Sequence, residues 1–156
     1  MARWNATAFM GALSIIGVGL FTTPVTAATK SDVASNDWAF EMPRGESLYV
    51  RHSLYWVKPD FGQKYFTMQS DGNLVLYAYK YHGSTEKKVC WESGTRGAGA
   101  RATYQNDGNF VIYVGVHAVW SSNTAGKPGA SVSLDGYGPS VDLNVGFMRL
   151  VENCVW

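Results

Sequence analysis

From Trp38 onward, short apolar runs alternate with glycine-bearing turns at the lengths of β-strands. Nowhere in that stretch does a 3.6-residue apolar period persist long enough for a helix. The pattern predicts an all-β domain over residues 38–156. Before it, residues 28–37 are small and polar and read as a flexible N-terminal segment. Earlier still, Arg3 is followed by an apolar stretch from Phe9 to Phe21, then Pro24 and the run Val25-Thr26-Ala27-Ala28. A positive start, an apolar middle and a small-residue end predict a secretory signal peptide over residues 1–27, and hence a secreted protein. The apolar stretch is shorter than the ~20 residues needed to span a bilayer, and no second candidate follows, so no membrane insertion is expected.

Within the domain the pattern repeats itself. Residues 65–77 read Tyr-Phe-Thr-Met-Gln-Ser-Asp-Gly-Asn-Leu-Val-Leu-Tyr, and residues 101–113 read Arg-Ala-Thr-Tyr-Gln-Asn-Asp-Gly-Asn-Phe-Val-Ile-Tyr. A Trp-bearing tag follows each copy, Trp91-Glu-Ser-Gly-Thr95 and Trp120-Ser-Ser-Asn-Thr124, and the chain ends in Cys154-Val-Trp156. Three units that each close on a Trp predict three small sheets sharing one core, because one such sheet alone buries too little. Asp71-Gly72 and Asp107-Gly108 are strong turn pairs, so each copy is predicted to be a hairpin. Side chains alternate along a strand. Leu74 and Leu76 therefore face the core, while Asn73, Val75 and Tyr77 face outward; Phe110 and Ile112 stand opposite Asn109, Val111 and Tyr113 in the same way.

Composition agrees and narrows the chemistry. Aromatic residues make up 14%, there are 17 Gly, and only 16% of residues are charged, which suits twisted strands and tight turns. Thirteen Lys and Arg stand against 12 Asp and Glu, so loss of Arg3 with the signal peptide leaves a formally neutral chain. Without a basic cluster, no nucleic-acid partner is expected. Cys90 and Cys154 are the only cysteines, and an oxidising compartment predicts one disulfide between them. Two cysteines with the scattered His52, His82 and His117 match no metal-site spacing, and the Asp-x-Asn fragments lack the other ligands of a calcium loop. The same histidines have no nucleophile motif near them. Asp71 and Asp107 occupy equivalent places in separate repeats and so are not expected to form a hydrolytic carboxylate pair. The reading is a binding protein with no cofactor and no metal, and not an enzyme.

The outward face supplies what a sugar requires. Gln69, Asp71, Asn73 and Tyr77 offer amide donors and acceptors, a carboxylate and a hydroxyl, and Val75 adds an apolar contact. Turn chemistry accounts for Asp-Gly-Asn but not for the Gln before it or the Tyr after it, and both recur at Gln105 and Tyr113.

The duplicated Gln-x-Asp-x-Asn-x-Val-x-Tyr, with Gly45-Glu-Ser-Leu48 and the Trp-x-Ser-x-Thr tags, resembles the monocot, snowdrop-type mannose-binding lectins across residues 38–156. The resemblance implies a β-prism II fold of three four-stranded antiparallel sheets with pseudo-threefold symmetry. It implies that Gln69, Asp71, Asn73 and Tyr77 bond mannose hydroxyls while Val75 touches the ring carbons, and that Gln105, Asp107, Asn109, Val111 and Tyr113 do the same. It places Trp91, Trp120 and Trp156 in the central core and makes mannose-containing glycans or polysaccharide the partner. In the third repeat Ser133 stands where Gln belongs, Asp135 persists, Tyr137 replaces Asn, and Pro139 falls at the Val position, so a degenerate site is expected there. Single sites of this shallow kind bind near the millimolar scale, about −4 kcal/mol. Useful avidity then needs both sites, or a homodimer, on a multivalent glycan. A lectin-like bacteriocin or antimicrobial protein, binding surface polysaccharide on the same fold, is the alternative reading.

Overall fold

The computed structural model describes residues 38–58 and 60–156; the expected signal peptide and N-terminal segment lie outside the described residues. Thirteen strands and no helix occur among the described residues. The first four are β1 (Trp38–Ala39), β2 (Glu41–Pro43), β3 (Ser47–Tyr49) and β4 (Ser53–Lys58). Three hairpin-based units follow: β5 (Gly62–Met68), β6 (Leu74–Tyr79) and β7 (Lys87–Glu92); β8 (Ala100–Tyr104), β9 (Phe110–Val114) and β10 (His117–Ser121); β11 (Ser131–Asp135), β12 (Val141–Val145) and β13 (Met148–Cys154).

Each unit contributes three antiparallel strands to a sheet, and β2, β3 and β4 supply one fourth strand each. β4 pairs with β5, β3 with β8, and β2 with β11, all antiparallel. The expected three sheets of four antiparallel strands are present. One feature adds to them: β1 runs parallel to β4 as a short fifth strand on the first sheet.

The inward faces meet in one core. Phe66, Met68, Leu74 and Leu76 come from the first sheet, Ala102, Tyr104, Phe110 and Ile112 from the second, and Val132, Leu134, Leu143 and Val145 from the third. Strand alternation alone would turn Val89 and Trp91 to the same side. The pairing slips between Leu76 and Tyr77, where Trp91 opposes Leu76 and Val89 opposes Tyr77. The residue between them, Cys90, is left as a bulge that resets the alternation and turns Trp91 inward. The same slip at Ala118 and Trp120 does this in the second sheet. Trp91 and Trp120 then meet edge to face at 5.5 Å, and Phe66 and Phe110 approach at 6.1 Å behind them.

Trp156 does not join them. It lies beyond the end of β13, 43% exposed, with the Lys80 ammonium 6.0 Å from its ring. The third sheet instead packs Met148, Leu150 and Val151 against the core, so the expectation of a third core Trp is corrected. The predicted disulfide joins Cys90 of β7 to Cys154 of β13, with 5.6 Å between the Cα atoms, and fastens the outer strand of the first sheet to that of the third.

One charge is built into the interior between these two sheets. Lys64 is fully buried; its Nζ donates to the carbonyls of Phe61 (3.2 Å) and Pro139 (2.9 Å) and lies 5.3 Å from the Trp56 ring. Burial, and secondarily the nearby Lys88, lowers its pKa from the usual lysine range.

Candidate functional site

Both predicted hairpins form, and their turns are alike bond for bond. The Gln69 amide donates to the Asn73 carbonyl (2.9 Å) and the Gly72 amide to the Gln69 carbonyl (3.1 Å); Gln105, Asn109 and Gly108 repeat both, each at 2.9 Å. Within the turn the aspartate bonds the backbone two residues on: Asp71 Oδ1 accepts the Asn73 amide at 3.0 Å and Asp107 Oδ1 the Asn109 amide at 2.9 Å. The Asp-Gly glycines have φ of 89° and 88°, a left-handed conformation that side chains resist.

The downstream tags hold these turns in place, a role not read from the sequence. Thr95 Oγ1 donates to the Gly72 carbonyl and Thr124 Oγ1 to the Gly108 carbonyl, both at 2.6 Å. Asn73 Oδ1 accepts from Ser93 Oγ and the Gly94 amide, both at 3.0 Å. Asn109 Oδ1 accepts from Ser121 Oγ (3.0 Å), Ser122 Oγ (3.3 Å) and the Thr124 amide (3.1 Å). Every carbonyl oxygen of the two asparagine side chains is thus spoken for, which points each amide nitrogen outward across the sheet.

The last members of each set meet as expected. Gln69 Nε2 donates to Tyr77 Oη, and Gln105 Nε2 to Tyr113 Oη, both at 2.6 Å. The tyrosine oxygen accepts there, so its own proton remains available to a ligand. Val75 and Val111 lie on the outward face but are only 1% and 4% exposed. They form the floor between Thr67 and Glu92 in one sheet, and between Thr103 and Ser121 in the other. All ten predicted residues are therefore gathered into two shallow faces, five on each. The larger concavities, of about 650 Å³ beside Arg44 and Phe147 and about 440 Å³ along β11, are lined by none of them.

Charged neighbours missed from the sequence distinguish the two faces. On the first, Asn73 Nδ2 donates to Glu92 Oε2 at 2.7 Å, Arg96 pairs with Asp71, and Lys87 Nζ sits 3.9 Å from the Tyr77 ring centre. On the second, Ser121 and Ala125 take the places of Glu92 and Arg96, and the Arg101 guanidinium lies 4.9 Å from the Tyr113 ring. The unlike residue within otherwise matching tags was the available signal. Beyond the Tyr77 side, Tyr65 and Tyr79 extend the first face at 5.5 Å, and burial, then Tyr65 and Tyr77, raises the Tyr79 pKa.

The third hairpin corrects the sequence alignment. Ser133 pairs with Asn144 as Thr67 pairs with Val75, and Asp135 pairs with Asp142 where Gln69 faces Asn73. Asp135 therefore occupies the Gln place, Asp142 the Asn place and Asn144 the Val place, with Gly146 where Tyr would stand. Tyr137 and Pro139 fall in a longer turn, where Tyr137 is 94% exposed and the Pro139 carbonyl receives the Lys64 bond. Asp142 keeps one habit of its counterparts, accepting the Asn153 amide at 2.8 Å, but its other oxygen pairs with Arg149 at 3.2 Å. Among the described residues, no cluster of three or more His, Cys, Asp or Glu has the arrangement to hold a metal.

No family model and no curated protein matches the chain. Solved structures do. A monomeric monocot mannose-binding lectin from Gastrodia elata is 28% identical with a TM-score of 0.53, over 75% of this chain and 97% of that one. The mannose-specific agglutinin of snowdrop bulbs (Galanthus nivalis), solved with methyl-α-D-mannoside, is 27% identical with a TM-score of 0.53, over 68% and 89%. A lectin from Allium sativum is 30% identical with a TM-score of 0.51, over 70% and 97%.

Proposed function

We propose that this chain, which belongs by fold to the monocot mannose-binding bulb lectins, is a secreted lectin that holds terminal mannose on its two repeated hairpin faces. The observation that supports this reading most is the state of the second face. There the turn, the tag and the Gln105–Tyr113 bond fix the polar groups before any ligand arrives. Asp107 Oδ2 and Asn109 Nδ2 are not used by those bonds, and Tyr113 Oη retains a proton to give.

A hexose with an axial 2-hydroxyl presents two neighbouring oxygens, each able to donate and accept. In this reading the Asp107 carboxylate accepts one hydroxyl proton in a charge-assisted bond, and the Asn109 amide donates to the same hydroxyl. Tyr113 and Gln105 hold the next hydroxyl, and the ring carbons rest over Val111. Gln69, Asp71, Asn73, Val75 and Tyr77 are the matching set on the first face. Nothing in the arrangement calls for a metal or a proton-transfer step.

Binding to a glycan array, displaced by free mannose, is the expected result. Asn73→Ala combined with Asn109→Ala should abolish retention on mannan while the strand signal in circular dichroism stays unchanged. Undiminished retention by that folded variant would place binding elsewhere.

A further inference from the structure

We infer that the two faces are unequal: Glu92 and Arg96 weaken the first toward a simple mannoside, and the second carries the tighter monosaccharide binding. This rests on the mannose reading above and adds to it which site is the stronger and which residues decide.

The asymmetry lies in the two groups a sugar hydroxyl would meet. Asn73 is 3% exposed and its Nδ2 is held by the Glu92 carboxylate at 2.7 Å. Asn109, in the same backbone setting, is partly exposed, and its side-chain bonds run through Oδ1, leaving Nδ2 to the ligand. An amide bonded to a carboxylate exchanges a charge-assisted bond for a weaker one when a neutral hydroxyl displaces it. Arg96 likewise occupies the Asp71 oxygen that is free in Asp107.

The two contacts differ in weight. The Arg96–Asp71 pair is well exposed and, on its own, holds little. Glu92 does more, because it engages a nearly buried amide and borders the Val75 floor directly. In the second sheet Ser121 occupies that place and turns its hydroxyl to the asparagine carbonyl oxygen instead, which orients the amide without consuming its donor. One side chain thus locks the site where its counterpart primes it.

Titration of the isotope-labelled protein with methyl α-mannoside, followed by NMR at the side-chain amides of Gln69, Asn73, Gln105 and Asn109, reads the faces separately. Gln105 and Asn109 should reach half-saturation at a mannoside concentration about tenfold or more below that of Gln69 and Asn73. Replacing Glu92→Ser with Arg96→Ala should bring the first face to within about twofold of the second. The reciprocal Ser121→Glu with Ala125→Arg should weaken the second by about tenfold. Equal half-saturation in the native protein, or a first face unmoved by the Glu92→Ser and Arg96→Ala exchange, would overturn the inference and leave the lectin reading standing. No movement of any of the four amides would reject the lectin reading itself.

Discussion

At the scale of single residues, the turn glycines set the strictest demand. A Cβ on Gly72 would collide with the Gly97 carbonyl oxygen and amide nitrogen, and one on Gly108 would come within 2.7 Å of an Arg44 guanidinium nitrogen and 2.8 Å of the Lys127 carbonyl oxygen. Both positions also carry a left-handed φ. Gly72→Ala meets only backbone, whereas part of the Gly108 clash is with a side chain that can move. Gly72→Ala should therefore be the costlier, lowering unfolding free energy by more than about 1 kcal/mol in urea titrations. Lys64 gives a second prediction. Its pKa is lowered in the folded state, so the unfolded chain binds more protons between that lowered value and the ordinary lysine value of 10.5. Stability should rise with pH through this alkaline window relative to Lys64→Met, whose profile lacks that contribution. Parallel melting curves of the two proteins across the window would check it.

At the scale of elements, each site is a hairpin plus the strand end that clamps it. Thr124 is 1% exposed and donates to the Gly108 carbonyl, so Thr124→Val keeps the shape and strands a buried acceptor. The expected cost is about 1–3 kcal/mol, with a weaker second site as the turn loosens; chemical denaturation and mannoside titration would measure both. How far elements were legible from sequence follows from the same local rules. Asp-Gly turns and period-two alternation are properties of adjacent residues, so both hairpins and all ten outward residues could be placed. The third hairpin was misread because spacing along the chain was used where pairing across it decides. Its turn is longer, and only the Ser133–Asn144 pairing shows that Asp142, not Tyr137, stands at the asparagine place. The clamping role of the tag Ser and Thr is not legible along the chain because their partners are distant in sequence. Resemblance puts Trp156 in the core, but pairing sets Met148 opposite Val145 where Trp91 opposes Leu76, and Trp156 lies beyond the strand.

For the molecule as a whole, the Cys90–Cys154 link ties the outer strand of the first sheet to the outer strand of the third across a sequence separation of 64. Replacing both with Ser should lower stability by about 2–4 kcal/mol in urea unfolding, because the unfolded chain regains the freedom of a long loop. Binding at Asn109 should persist, since neither cysteine belongs to the second sheet. The allotment of the first strands has a further consequence. β2, β3 and β4 are handed to the third, second and first sheets in turn, so a short opening stretch is the shared seam of the whole prism. The earliest of them must wait for the latest unit before its edge is covered. The third sheet, unlike the other two, therefore closes only when both extremities of the domain are present together.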